Sequence, residues 1–106
     1  MKILVMCGGG YSSSALGVRA RKILAEKGIT EDEIVTLDAT VFMNKPETEL
    51  DYDVVLVAPQ IRHFMTKLKV AHPNCIYEIC DMRSYGMMDA EAIIKQAKEV
   101  YQKAKS

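Results

Sequence analysis

The sequence predicts an α/β fold: a four-stranded parallel sheet in the order 2-1-3-4 with helices on both faces. Three observations carry this. Short apolar runs alternate with helical patterns along the chain. The runs KILVM (Lys2–Met6) and DVVLVA (Asp53–Ala58) are apolar on both faces, as strands buried in the middle of a parallel sheet are. Each strand is followed by a segment long enough for a crossover, and right-handed crossovers in one sheet give parallel neighbours.

The elements follow in order. Lys2–Met6 is cut off by Cys7 and the glycines Gly8, Gly9 and Gly10, so it reads as strand one. Ser12–Lys27 places Leu16, Ala20, Ile23 and Leu24 at helical spacing, and Gly28 stands where a C-terminal glycine cap belongs. Glu33–Ala39 alternates apolar and polar residues as a second strand. Thr40–Asp51, with Pro46 and several acids, reads as a loop or a short frayed helix. Asp53–Ala58 is the third strand, ended by Pro59. Gln60–Ala71 carries a stripe of Ile61, Phe64, Met65, Leu68 and Val70, and His72-Pro73-Asn74 stops it. Cys75–Cys80 is a short fourth strand, and Asp81–Met88 a loop. Asp89 caps a last helix with Ala92, Ile93, Ala97, Val100 and Tyr101 on one face. The order is that of a shortened flavodoxin-like fold, with similarity to the low-molecular-weight phosphatase fold.

Composition limits the function classes. The chain has 106 residues, the size of one domain, and a single domain over 1–106 is expected. Fourteen Lys plus Arg balance fourteen Asp plus Glu, giving zero net charge. Nucleic-acid binding and a polybasic membrane anchor both call for a basic excess that is absent. No apolar run approaches the roughly 20 residues of a membrane-spanning helix, and the N-terminus reads as a strand rather than a signal peptide. A cytoplasmic chain without membrane insertion is expected. Three cysteines, Cys7, Cys75 and Cys80, are an odd count and suit a reducing compartment better than a disulfide framework. Cys75 and Cys80 lack zinc-ligand spacing and read as packing residues, so no metal site is expected.

In a sheet of this order the ligand site lies beyond the carboxyl ends of the strands, where the winding reverses between strands one and three. The loops there are Cys7–Ser14 and Pro59-Gln60. The run C-G-G-G-Y-S-S-S joins a strand to a helix. Gly8, Gly9 and Gly10 let an anion approach backbone amides closely. Tyr11, Ser12, Ser13 and Ser14 open the helix, whose first N–H groups lack intrahelical partners and carry partial positive charge. The three serines add hydroxyl donors. The same field favours thiolate over thiol, which places Cys7 as a nucleophile toward phosphorus.

Neighbouring chemistries fit less well. A Walker loop needs a lysine that is missing, and a dinucleotide fingerprint would need glycine at Ser13. A tyrosine phosphatase of the low-molecular-weight type needs arginine six residues after its cysteine, where this chain has Ser13. Arg19 lies too far along the helix to replace it. Asp81 is the one loop candidate for a general acid and stands in a different context. The loop therefore suits a phosphocysteine that persists until it is handed on.

These residues resemble the enzyme IIB component of the lactose/cellobiose class of the bacterial sugar phosphotransferase system. I-L-V-M-C-G-G-G-Y-S-S-S is similar to that family's strand, active cysteine and loop. Val55–Ile61 is similar to its strand ending in Gly-Pro-Gln, and Asp81 with Tyr85-Gly86 to its D-x-x-x-Y-G pattern. The departures are Gly8-Gly9 for the commoner Ser-Ala, Tyr11 for Met, and Ala58 for the glycine before Pro59.

The resemblance implies that Cys7 takes a phosphoryl group from a phosphohistidine of IIA and gives it to a sugar bound by the membrane permease IIC. It implies no cofactor, neither metal nor nucleotide. The sugar stays open among aryl-β-glucosides, cellobiose, chitobiose and lactose. Pro59, Gln60, Asp81 and Tyr85 are expected at the rim of the site, His63 and His72 at the surface, and the protomer as a monomer. Met87-Met88 reads equally as partner surface or as buried filler. The alternative is a non-catalytic binding or regulatory module on the same fold, which would have no need of a thiol at Cys7.

Overall fold

The computed structural model describes the backbone of residues 1–7 and 11–106, and the side chains outside residues 7–14. Strand β1 (Lys2–Cys7) lies between β2 (Glu33–Asp38) and β3 (Val54–Val57), and β4 (Tyr77–Ile79) closes the other edge. The order is β2-β1-β3-β4 and every pairing is parallel, as the sequence predicts. Ile3–Met6 and Val54–Val57 are fully buried. Helices cover both of their faces, which is why these two runs show no polar alternation.

Helix α1 (Tyr11–Glu26) packs on β2 and on the last helix, α5 (Ala90–Lys105). Leu16, Ala20 and Leu24 turn its apolar stripe into the core. A Cβ on Gly17 would stand 2.8 Å from the Thr36 methyl, so this glycine sets how closely α1 lies on β2. α1 ends as expected at Gly28, whose φ of +68° is in the left-handed region. Gly28 N–H donates to the Ala25 carbonyl (3.2 Å) and Ile29 N–H to the Leu24 carbonyl (2.9 Å), the paired bonds of a Schellman cap.

Four expectations need correction. The stretch Thr40–Asp51 is not frayed throughout. Asp38 caps a short helix α2 (Ala39–Met43), and a 3-10 turn follows at Glu47–Glu49. Gln60–Ala71 is not one helix. A 3-10 segment (Pro59–Phe64) precedes α3 (Met65–Ala71), and Ile61 departs from helical angles at φ −116°, ψ 23°. Ile61 and Leu68 are buried, and Val70, two residues past Leu68 in α3 and so on its opposite face, is exposed. Asp81–Met88 is not a loop, because Asp81 caps a helix α4 (Met82–Gly86).

His72 is the fourth correction, since it is buried rather than at the surface. It ends α3 and turns inward. Its Nε2–H donates to the Phe42 carbonyl at 3.0 Å, and its ring meets the Phe42 ring edge-on. The Phe42 carbonyl, at the end of α2, also accepts from the Lys45 N–H at 3.2 Å, and its second lone pair supplies the partner that lets a polar ring enter the core. The Tyr77 hydroxyl, 2.8 Å from the His72 carbonyl, ties the same corner to β4.

The last helix needs little correction. Asp89 caps it through the Ala92 N–H, as expected. Ala90, Ile93, Ile94 and Ala97 form its buried face. Among the described residues no helix is long and apolar enough to cross a membrane.

Candidate functional site

Parallel strands deliver all four carboxyl ends to one edge of the sheet. Cys7 ends β1, Asp38 ends β2, and the two are register partners. β3 leads through Ala58 into Pro59, and β4 through Cys80 into Asp81. The ladder runs on past the strands: Ala58 N–H donates to the Met6 carbonyl and Cys80 N–H to the Val57 carbonyl, both at 2.8 Å. The residues after β3 and β4 are therefore anchored to the sheet where they leave it.

Gly8, Gly9 and Gly10 lie outside the described residues, as do the side chains of Cys7, Tyr11, Ser12, Ser13 and Ser14. The described backbone places Cys7 in the last position of β1 and Tyr11 in the first position of α1. The strand and helix that flank the glycines thus begin and end within a residue of the expected positions.

Of the expected rim residues, Pro59, Gln60 and Tyr85 line one cavity of about 480 Å³ together with Arg62, His63 and Met82. Pro59 constrains the residue before it, and Ala58 is extended at φ −57°, ψ 141°. Proline then occupies the start of the 3-10 segment, where a missing N–H costs nothing. Gln60 is exposed, while Tyr85 is 5% exposed and belongs to the core. His63 is exposed, as expected, and stacks beside Phe64.

Asp81 lies apart from that cavity and faces a neighbouring one with Arg62, Gln96 and Lys103. Its carboxylate accepts from the Ser84 N–H and the Ser84 hydroxyl, both at 2.9 Å. Those two bonds hold its carboxyl below the usual range. An aspartate kept ionised and committed as a helix cap is poorly suited to deliver a proton. Cys80, beside it, is buried, and burial followed by the Asp81 charge pushes its thiol up to about 12. It is an unreactive packing residue, as expected. Cys75 is half-buried, and burial raises its thiol as well.

Two residues, Asp38 and Gln96, went unnoticed in the sequence, and Arg19 has a contact that the sequence did not show. Asp38 is the register partner of Cys7 and caps α2 by accepting from the Thr40 N–H at 2.8 Å. The D-A-T sequence after an apolar run is a capping signal that points to it. Gln96, on α5, accepts from the Asp81 N–H and donates to the Ile79 carbonyl, both at 2.9 Å. No local pattern marks that role. Arg19 donates to the Met88 carbonyl at 3.3 Å, linking α1 to the segment after α4. Met88 itself is half-buried and Met87 exposed.

Comparison with known proteins agrees with this geometry. A solved structure titled as the lactose-specific IIB component domain of the phosphoenolpyruvate:carbohydrate phosphotransferase system from Streptococcus pneumoniae has a similar fold. The TM-score is 0.66 at 18% identity, covering 92% of this chain and 96% of that one. A model of the family described as PTS system, lactose/cellobiose-specific IIB subunit, matches residues 2–96. That match spans nearly the whole chain, from β1 into α5, and the chain therefore belongs to the lactose/cellobiose-specific IIB family of the sugar phosphotransferase system.

Proposed function

We propose that this IIB subunit carries its phosphoryl group on Cys7. The observation that supports this most directly is the placement of Cys7. It stands at the carboxyl end of a central strand, and α1 opens at Tyr11 directly after Gly8, Gly9 and Gly10. A 16-residue helix starting there carries unpaired N–H groups and partial positive charge at the end that follows β1 and the glycines.

In the first half-reaction the Cys7 thiolate attacks the phosphorus of a phosphohistidine on IIA. The S–P bond forms, the N–P bond breaks, and the histidine nitrogen keeps the electron pair. In the second, a hydroxyl oxygen of a sugar held by IIC attacks the same phosphorus. The O–P bond forms, the S–P bond breaks, thiolate leaves, and the hydroxyl proton passes to a base or to water. The loop amides of Gly8–Gly10 and the hydroxyls of Ser12–Ser14 stabilise the equatorial oxygens in both steps. Ser13 in place of a clamping arginine leaves hydrolysis by water slow, so the phosphocysteine lasts until the sugar accepts it.

The acceptor is a β-glucoside or related disaccharide, chosen in the permease. The chain acts as a single cytoplasmic domain and as a monomer that meets IIA and IIC in turn. Pro59 and Gln60 form the rim across the crevice from Cys7, with Tyr85 behind them.

The test is intact mass after incubation with phosphoenolpyruvate, the general phosphotransferase proteins and a cognate IIA. The expected result is a gain of one phosphoryl group, about 80 Da, in the wild type and none in Cys7→Ser. A folded wild-type protein with a free Cys7 thiol that gains nothing from several IIA partners would sink the carrier role. A binding module on the IIB fold would then be the better reading.

A further inference from the structure

The cavity between the 3-10 segment and α4 has a cation and no acid in its described lining. Arg62 is the charged residue there, His63 stands beside it, and Met82, Tyr85 and Gly86 face them from α4. Arg62 and His63 are exposed, and among the described residues Arg62 forms no ion pair. Arg83, next to Met82 on α4, is exposed as well. The acids of this end of the molecule, Glu78, Asp81 and Glu99, line the neighbouring cavity, where Lys103 stands among them. Asp81 is committed there to the Ser84 N–H and hydroxyl.

Beside the cation lies uncovered apolar surface. Met82 is 66% exposed and lines the cavity, and Met87, directly after Gly86, is 64% exposed. Large apolar side chains left in water side by side mark a contact surface, and unbranched methionine adapts to the shape of what covers it. The ground beneath is firm. Tyr85 belongs to the core, and Ala58, which leads into Pro59, is tied to β1 through the Met6 carbonyl at 2.8 Å.

A surface that joins a free guanidinium to exposed methionines fits a protein segment with a carboxylate beside an apolar side chain. The choice between the two partners of a IIB subunit follows from charge. Cytoplasmic loops of membrane proteins carry an excess of Lys and Arg, so a permease brings cations to a face that is itself cationic. A soluble donor is under no such rule. We propose that this surface receives IIA, which sets an acidic residue against Arg62 and an apolar one against Met82, and that IIC docks without using Arg62. The proposal rests on the functional reading above, in which the chain meets IIA and IIC in turn. The docking itself is measurable without any phosphoryl transfer.

The test follows backbone amide shifts of the labelled chain as unphosphorylated cognate IIA is added. Shifts should centre on Gln60–His63 and Met82–Met87. Arg62→Glu should weaken IIA binding on the order of tenfold at low salt, and the difference should shrink at about 0.5 M salt. Arg62→Lys should restore most of the affinity, because the charge returns. Met82→Ala should weaken binding roughly three- to tenfold, with a loss that salt does not remove. Both residues are exposed, so the variants should keep the wild-type spectrum outside the substituted sites. Arg62→Glu should bind vesicles carrying the cognate IIC no more weakly than wild type does.

IIA affinity unchanged in Arg62→Glu and Met82→Ala, IIA shifts confined to other elements, or no shifts at all would overturn the proposal. So would a loss of IIC binding in Arg62→Glu with IIA binding intact. A chain that binds IIA through this surface yet gains no phosphoryl group from it would uphold the docking site and overturn the carrier reading instead.

Discussion

The side-chain amide of Gln96 accepts a hydrogen bond from the backbone N–H of Asp81 at 2.9 Å. The same amide donates to the Ile79 carbonyl at 2.9 Å. One side chain from α5 thus pairs two backbone groups at the end of β4, the last of them on the residue that caps α4. A three-residue edge strand has few ladder bonds of its own, so its carboxyl end depends on this support.

Replacing Gln96 with Leu should therefore leave two backbone groups without their partner. The expected loss is about 1–3 kcal/mol in denaturant unfolding. Hydrogen exchange should show faster opening at Ile79–Ser84 than at the central strands β1 and β3. Equal protection across these segments would show that water replaces the amide without loss.

Met88 has a φ of +54°, the left-handed region that favours glycine. It occupies the position after α4 that Gly28 occupies after α1, with Met88 N–H donating to the Tyr85 carbonyl (3.1 Å) and Asp89 N–H to the Ser84 carbonyl (2.8 Å). A side chain costs about 1 kcal/mol there. Met88→Gly should raise the unfolding midpoint, and a thermal melt below that of wild type would show that the contacts of the half-buried methionine outweigh the relief.

Gly17 makes the opposite case. An alanine Cβ would stand 2.8 Å from the Thr36 methyl, and a β-branched threonine has little room to yield. Gly17→Ala should destabilise the fold by about 1–3 kcal/mol despite alanine's better helix propensity. The double variant with Thr36→Ser should recover part of that loss, and a double-mutant cycle measures the coupling.

Asp32 gives the fold an acid-sensitive contact. Its side chain is 3% exposed, with Lys98 Nζ at 2.7 Å and the terminal ammonium at 3.5 Å. Burial pushes its carboxyl up, but Lys98 and then the ammonium outweigh that and hold it below the ordinary 3.8. A folded-state value below the unfolded one means stability that is present above about pH 4 and lost as pH falls through the folded value. Lys98→Met should cost roughly 1–3 kcal/mol at pH 7, because it strips a buried carboxylate of its nearest cation. The gap from wild type should narrow toward pH 3. A pH-independent gap would assign the effect to packing of the lysine stem.

How much was legible follows from the range of the forces involved. The strands β1 and β3 were readable because burial on both faces leaves an unbroken apolar run, and α1 because Leu16, Ala20 and Leu24 recur at helical spacing up to Gly28. Asp81 and Tyr85 were readable as a pattern but not as a helix, since five residues are too few to show a period. The kink at Ile61 was hidden by a stripe that looks continuous along the chain. His72 was misplaced because its burial depends on the Phe42 carbonyl, thirty residues away.

By itself the sequence determined the parallel α/β fold, the strand order, and the placement of Cys7 and three glycines between a strand and a helix. These follow from local pattern and from the handedness of crossovers, which act within one strand–helix unit. Only the tertiary structure decided that Asp38 is the register partner of Cys7, that Gln96 secures the end of β4, and that Pro59, Gln60 and Tyr85 share a cavity. Each of these joins residues from different elements, and hydrogen bonds and packing act over a few ångströms of space regardless of separation along the chain.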